Sequence, residues 1–399
     1  MTEQRPDEQQ PLPGSDEERR RYEEWVRYEQ WRRAQWEQWQ AWQHEQWRRQ
    51  WEAHQAAVAQ PAPGAGGSNG TVSPPTFPHA EPTPYHLILR TWTYHWWRPL
   101  VGIFLLAIGM LLIVPLLTLP VLLVGIAFES GDGGYLQAMT DALDLQELSP
   151  SALLWLNLSL GGLILWAWGL VRFLHNLRPR WLTSVMPKMR WKFFWACMGI
   201  SVIALTAQVG ISMLLPDAGD PSLTGEPNAI TGQTLALLIV VLLTTPLQAA
   251  GEEYAFRGYL LQAVGALTRR AWIALTVTSL LFALAHGVQN FPLFFDRFAF
   301  GFIAGWLVIR TGGLEAGIAL HVLNNLLAFG MGILFGDVGE MLNVSEISWW
   351  NIPVTLTQSL LYVVLVLLVA RRMNVQRLSR PPAEEPEETS VTEDPAPVG

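Results

Sequence analysis

From residue 100 onward, apolar runs long enough to cross a lipid bilayer recur at short intervals, and this pattern leaves the chain one architecture. In hydrocarbon every backbone N–H and C=O must be satisfied within the segment, so apolar runs of about twenty residues fold as transmembrane helices. Eight candidate spans are read, at 100–128, 151–171, 193–215, 234–267, 272–286, 298–309, 314–335 and 354–370. The expected fold class is all-α: a polytopic transmembrane helical bundle of about eight spans with disordered or weakly ordered tails. Pro115 and Pro120 predict a tilt or kink in the first span, and Pro246 a bend in the fourth.

Charge placement supports this count. Arg90 and Arg98 precede the first span, and Arg178, Arg180, Lys188, Arg190 and Lys192 lie between the second and third. Arg269 and Arg270 follow the fourth, Arg310 the sixth, and Arg371, Arg372, Arg377 and Arg380 the eighth. The loops at 129–150, 216–233 and 336–352 hold no Lys or Arg, and Arg297 is the one exception on that side. Basic residues concentrate on the cytoplasmic side of membrane proteins, so both termini are expected in the cytoplasm and the protein in the plasma membrane as a multi-pass chain. The net charge of −8, with much of the acid in tails and non-basic loops, is no nucleic-acid footprint. The single cysteine, Cys197, sits in an apolar run and excludes an internal disulfide or a cysteine metal cluster. No cleavable signal peptide is expected, because the first apolar stretch starts near residue 100.

Residues 1–56 are rich in Trp, Gln, Arg and Glu, with irregular aromatic spacing. They read as a low-complexity arm or as an interfacial helix lying on the cytoplasmic membrane surface, its Trp side chains at the headgroups and its Arg side chains on anionic lipid. Residues 57–84, rich in Pro, Gly and Ala, read as a flexible linker, 85–375 as the transmembrane domain, and 376–399 as a disordered acidic tail.

Ionisable side chains at hydrocarbon depth are costly and mark function. Here they cluster in spans four, five and seven. Glu252-Glu253 is followed by Arg257; on a helix Glu253 and Arg257 are i,i+4 neighbours that can pair, while Glu252 points toward another face and stays available as a base for water. The bland alternative is a helix end with surface charges. His286 closes the fifth span, and His321 and Asn325 share a face of the seventh. His321 and Asn325 are suited to an oxyanion or a metal position, or to plain interhelical hydrogen bonds. If a metal is present, its ligands are expected to be Glu252, His286 and His321, with zinc the ion such donors take; there is no HExxH element.

An EExxxR element, an FxxxH element and an HxxxN element, in that order on successive membrane helices, resemble the CPBP family. That family includes the type II CAAX prenyl endopeptidases and the Abi and bacteriocin-processing homologues. The resemblance covers roughly residues 188 to 325, with the family-like core at about 188–335. It implies a bundle of about eight helices with a cavity open toward the cytosol, and intramembrane cleavage of a membrane-associated peptide or protein. It also implies that Glu252 and His286 activate water, that His321 and Asn325 hold the oxyanion, and that Glu253 and Arg257 support them. Elements of other intramembrane peptidases, a GxSG serine or a GxGD acid pair, are missing. The alternatives are a proton- or cation-coupled transporter using the same Glu/His cluster, or a non-catalytic membrane scaffold.

Overall fold

The structure is a computed structural model that describes residues 78–79, 81–130, 134–144, 148–216, 227–336, 339 and 342–379, with Glu23, Val26, Arg27 and Gln30 before them. The chain divides into two compact units, Met1–Val72 and Ser73–Gly399. In the first, the four described residues are helical, and Arg27 Nε donates to the Glu23 carbonyl. The remainder of the aromatic arm, the linker at 57–77 and the acidic tail from 380 lie outside the described residues.

The second unit is all-α. Its long helices are α1 (Trp97–Glu129), α3 (Pro150–Leu174), α4 (Trp191–Ser212), α5 (Gly232–Thr268), α7 (Phe291–Thr311), α8 (Glu315–Phe335) and α9 (Asn351–Arg372). These seven are long and apolar enough to cross a membrane. Two shorter helices join them: α2 (Tyr135–Asp144), within the segment 129–150 expected to be a loop, and α6 (Ala271–Leu284). Among the described residues there is no strand, only isolated bridges at Pro84–Leu378 and Ser184–Gly313.

The expected fifth and sixth spans change places in length. The fifth is α6, whose 14 residues reach about 21 Å, short of the roughly 30 Å hydrocarbon core. The sixth, expected to be short, is the 21-residue α7. Asp296 and Arg297 hide its first two turns from a hydropathy reading. The helix nevertheless starts at Phe291, where the Asn290 side chain accepts from Leu293 N and Pro292 fills the first turn.

Loop hydrogen bonds define the two ends of the bundle. At one end Arg190 Nη1 donates to the carbonyls of Thr311 (2.8 Å) and Gln376 (3.0 Å), and Tyr85 Oη donates to the Leu182 carbonyl. Arg90 Nη1 donates to the Ala266 carbonyl there, at 2.6 Å. At the other end the Glu129 carboxylate caps α3 through Ser151, Asn228 Nδ2 donates to the Ile333 carbonyl, and Asn290 Nδ2 to that of Ile347. The first end gathers the Arg-rich loops and the second joins the loops poor in Lys and Arg. Ser379 N donates to the Thr83 carbonyl and Thr83 N to Ser379 Oγ, both at 3.0 Å. Thr83 and Ser379, near the two ends of the described segment, therefore meet at the basic face.

This pairing also moves the domain boundary outward from 85–375. His79 is buried and bonded to the Ile88 carbonyl, and Thr83 is held by a residue 296 positions away. Composition alone reads 78–84 as linker because that partner is invisible locally.

Helix α8 is central, packing against α4, α5 and α7, while α5 also packs along α3. The α3–α5 contact is backbone to backbone: a Cβ at Gly251 would overlap the Leu160 carbonyl. Close approach through glycine is how membrane helices gain van der Waals contact. In α1 the departure from α geometry is a π turn at Gly109–Ile113, just before Pro115; the Leu105 carbonyl there accepts from Trp166 Nε1 at 2.9 Å.

Candidate active site

Helix α5 is α-helical through Glu252 and becomes a π-helix over Glu253–Leu260. The irregularity thus falls on the acidic motif and not at Pro246. In a π turn the i→i+5 bonding spreads each turn over more residues, so consecutive side chains diverge less. Glu252 and Glu253, expected on separate faces, consequently converge on one ring. His321 Nε2 lies 3.1 Å from Glu252 Oε2, and His321 Nδ1 lies 3.0 Å from Glu253 Oε1. Glu252 therefore is not left unpaired, as the i,i+1 geometry of an α-helix implied.

Arg257 completes the cluster. Its Nη1 is 2.8 Å from Glu253 Oε1, and its guanidinium lies over the Phe282 ring at 3.9 Å and near Phe300 at 5.4 Å. Glu253 and Arg257 are almost completely buried, His321 is 5% exposed at its side chain and Glu252 12%. With both carboxylates ionised, a protonated His321 and Arg257 balance them, so the buried group is neutral overall. Neutrality and mutual hydrogen bonding are what allow such a set to sit in an apolar bundle. Glu253 Oε2 has no hydrogen-bond partner and abuts Gly317, where a Cβ would stand 2.5 Å away.

His286 follows the last turn of α6. Counted from the basic end of each helix, Glu252 and His286 both lie about 22 Å along, because α5 runs to Thr268 and α6 starts at Ala271. His286 Nδ1 is 2.7 Å from the Phe282 carbonyl. Donation there fixes the tautomer and leaves Nε2 with its lone pair. The two histidines flank one aromatic ring: Phe282 is 4.7 Å from His286 and 6.1 Å from His321, centroid to centroid.

Asn325, one turn beyond His321 on α8, donates through Nδ2 to Gln248 Oε1 at 3.0 Å. Gln248 was not singled out in the sequence; its signal was its place one turn before Glu252 on the same face of α5. Gln358 Nε2 donates to Asn324 Oδ1 at 3.3 Å. A second buried pair, Arg190 with Glu315, is bidentate at 2.7 and 2.5 Å and ties the start of α8 to the loop before α4. Its members lie 125 residues apart, and no local pattern pairs them.

The structure thus brings Glu252, Glu253, Arg257 and His321 into direct contact, places Asn325 one turn away and sets His286 across Phe282. The metal arrangement expected of Glu252, His286 and His321 does not form. Among the described residues no three His, Cys, Asp or Glu side chains are grouped as ligands. His321 Nε2 faces Glu252 and its Nδ1 faces Glu253, while His286 Nδ1 faces the Phe282 carbonyl.

Residues 233–327 match the family model described as type II CAAX prenyl endopeptidase Rce1-like. Uncharacterized protein YyaK of Bacillus subtilis (strain 168) is 27% identical over 166 residues, covering 40% of this chain and 54% of that protein. An uncharacterized 24.3 kDa protein of Escherichia coli is 28% identical over 165 residues, covering 41% of this chain and 66% of its own. The chain therefore spans about half of the first relative's length and just under two thirds of the second's. No solved structure matches it. The matched segment holds nearly all of α5, the whole of α6 and α7 and the first part of α8, and with them every residue of the cluster.

Proposed function

Taking residues 233–327 as an Rce1-like CAAX-type endopeptidase domain in a multi-pass membrane protein, we propose that the chain is an intramembrane endopeptidase that hydrolyses a peptide bond of a membrane-associated peptide or protein. The observation that carries this is the contact of His321 with both Glu252 and Glu253, in a neutral cluster enclosed by apolar helices.

A water between Glu252 and His286 Nε2 is the nucleophile. As it attacks the scissile carbonyl, its proton passes to Glu252, and the negative charge moves from that carboxylate to the carbonyl oxygen. His321 Nε2–H, which faces Glu252 beforehand, follows the charge and donates to the oxyanion; the amide of Asn325 adds a second donor. Glu253 and Arg257 keep His321 oriented and protonated throughout. The tetrahedral intermediate collapses when protonated Glu252 delivers its proton to the departing amine, leaving a new carboxylic acid and a free amine. No step runs through a metal.

The basic face is cytoplasmic in this reading, with the chain in the plasma membrane and both termini in the cytoplasm. The test is cleavage of membrane-partitioning peptides by the purified protein in detergent. Glu252→Gln must abolish turnover while the protein stays folded; turnover equal to that of the native protein would retire the peptidase reading.

A further inference from the structure

Two arginines of the described bundle have carboxylate partners: Arg190 with Glu315 and Arg257 with Glu253. Arg297 on α7 is different. Among the described residues no carboxylate lies within ion-pair distance of it. Its sequence neighbour Asp296 is turned to α9, where it accepts from the Thr355 hydroxyl. Arg297 is half-buried, about 9 Å along a helix that crosses the membrane.

One nitrogen, Nη1, donates to the His286 carbonyl (3.3 Å) and to Gln289 Oε1 (3.1 Å). The other edge of the guanidinium, Nε and Nη2, has no acceptor among the described residues. Neither atom is sealed, since neither is among the buried polar atoms that lack a partner. Beside it, the turn that holds Arg297 to His286 is fixed internally: Gln289 Nε2 donates to the Ala283 carbonyl at 2.6 Å, and Gly287 takes φ +84°. A rigid turn thus holds a guanidinium with an open fork next to the ring proposed to position water.

A cation at membrane depth is costly and is retained where it meets an anion. The planar fork of arginine matches a carboxylate through two parallel hydrogen bonds. Resting on the peptidase reading above, we propose that Arg297 is a substrate-binding residue that takes a carboxylate of the peptide beside the scissile bond. The carboxylate is either the free C-terminus of the peptide or an acidic side chain near the cut. In both cases the fork registers the chain so that the bond to be cleaved lies against His286 and Glu252.

Matched peptides test this: one with a free C-terminal carboxylate, its C-terminal amide, and an amide carrying one Asp near the cut. Each is followed for cleavage by the full-length protein in detergent, and its uncleavable N-methylated version for binding to Glu252→Gln protein. The expected result is that free acid is preferred over amide by about tenfold or more in both kcat/KM and affinity. In Arg297→Gln the acid-to-amide ratio falls to about one, and Arg297→Lys restores part of the preference. Recovery by the Asp-bearing amide assigns the side chain as the source; failure to recover assigns the C-terminus. Equal binding of acid and amide by Arg297-intact protein overturns the proposal. So does an Arg297→Gln variant that loses acid and amide turnover alike, since Arg297 then serves only to hold His286. Binding that shows the preference in a native protein that cleaves none of the peptides retires the peptidase reading and keeps the carboxylate site.

Discussion

His321 stands between two glutamates that are adjacent in sequence, with Glu252 Oε2 3.1 Å from one ring nitrogen and Glu253 Oε1 3.0 Å from the other. The two acids are chemically alike but differ in what else surrounds them. Glu253 is wholly enclosed and paired with Arg257; Glu252 keeps a partly open side.

That division sets the first prediction. Glu252→Gln and His286→Ala should each lower the rate of peptide cleavage by about a hundredfold or more, in line with loss of a general base. His286→Ala should leave the unfolding midpoint in detergent nearly unchanged, because that side chain stands exposed after the last turn of α6, outside the ionic cluster. Single-turnover rates on purified variants measure this, and a loss below about fivefold in both would sink the assignment of the water-activating pair.

Arg257 and Glu253 should behave as a unit. Removing one partner of a buried pair typically costs about 3–5 kcal/mol, because the other is left as a buried unpaired charge. Arg257→Met or Glu253→Gln alone should therefore destabilise the protein strongly, and the double variant should regain much of the loss. Activity should not return with stability, since His321 would then face one carboxylate. Unfolding curves of the two single variants and the double close the thermodynamic cycle.

Gly317→Ala places a methyl group 2.5 Å from Glu253 Oε2, whereas Gly330, on the same helix, has open space around its would-be Cβ. Gly317→Ala should reduce both stability and cleavage, and Gly330→Ala should leave both near native values. Loss of activity in both variants alike would point to helix propensity or folding yield in place of the local collision.

Three buried histidines outside the spans give a pH dependence of stability. Burial holds His79, His86 and His175 down to about 4, against an ordinary 6.5. Below 6.5 the unfolded chain takes up protons that the folded protein excludes until about 4. Their contribution is thus complete above 6.5 and is lost progressively down to about 4. The unfolding midpoint in detergent should fall between pH 7 and pH 5, and replacing the three by Gln should flatten that slope.

Chelation provides an independent check. Because the proposed step activates water with Glu252 and His286 alone, exhaustive dialysis against a strong chelator should leave cleavage unchanged. Loss of activity that zinc restores would mean the cluster rearranges around a metal.

The elements that sequence reading recovered were those with a local signature. Glu252, Glu253, Arg257, His286 and His321 stand out because each breaks an apolar run, and hydrocarbon makes every such break expensive. Helix α6 starts near the expected residue for the same reason. What escaped depends on partners far along the chain or on backbone geometry. The Arg190–Glu315 clip spans 125 positions, Thr83–Ser379 spans 296, and the π turn at Glu253 has no compositional mark. That turn begins at Glu253, beside the point where both acids meet His321. Gln248 and Arg297 were visible as residues, but their roles depend on which helix lies opposite, and packing alone decides that.

The hydrogen bonds that join Thr83 to Ser379 place the first and last segments of the helical unit side by side. A short peptide could therefore link them directly, and new termini could be opened at the opposite face, such as beside the exposed Ile230. A circular permutant of this kind would keep every helix and every buried pair in place while reversing which membrane side its ends report. The protein can thus be rewired at its seam without touching the chemistry at its centre.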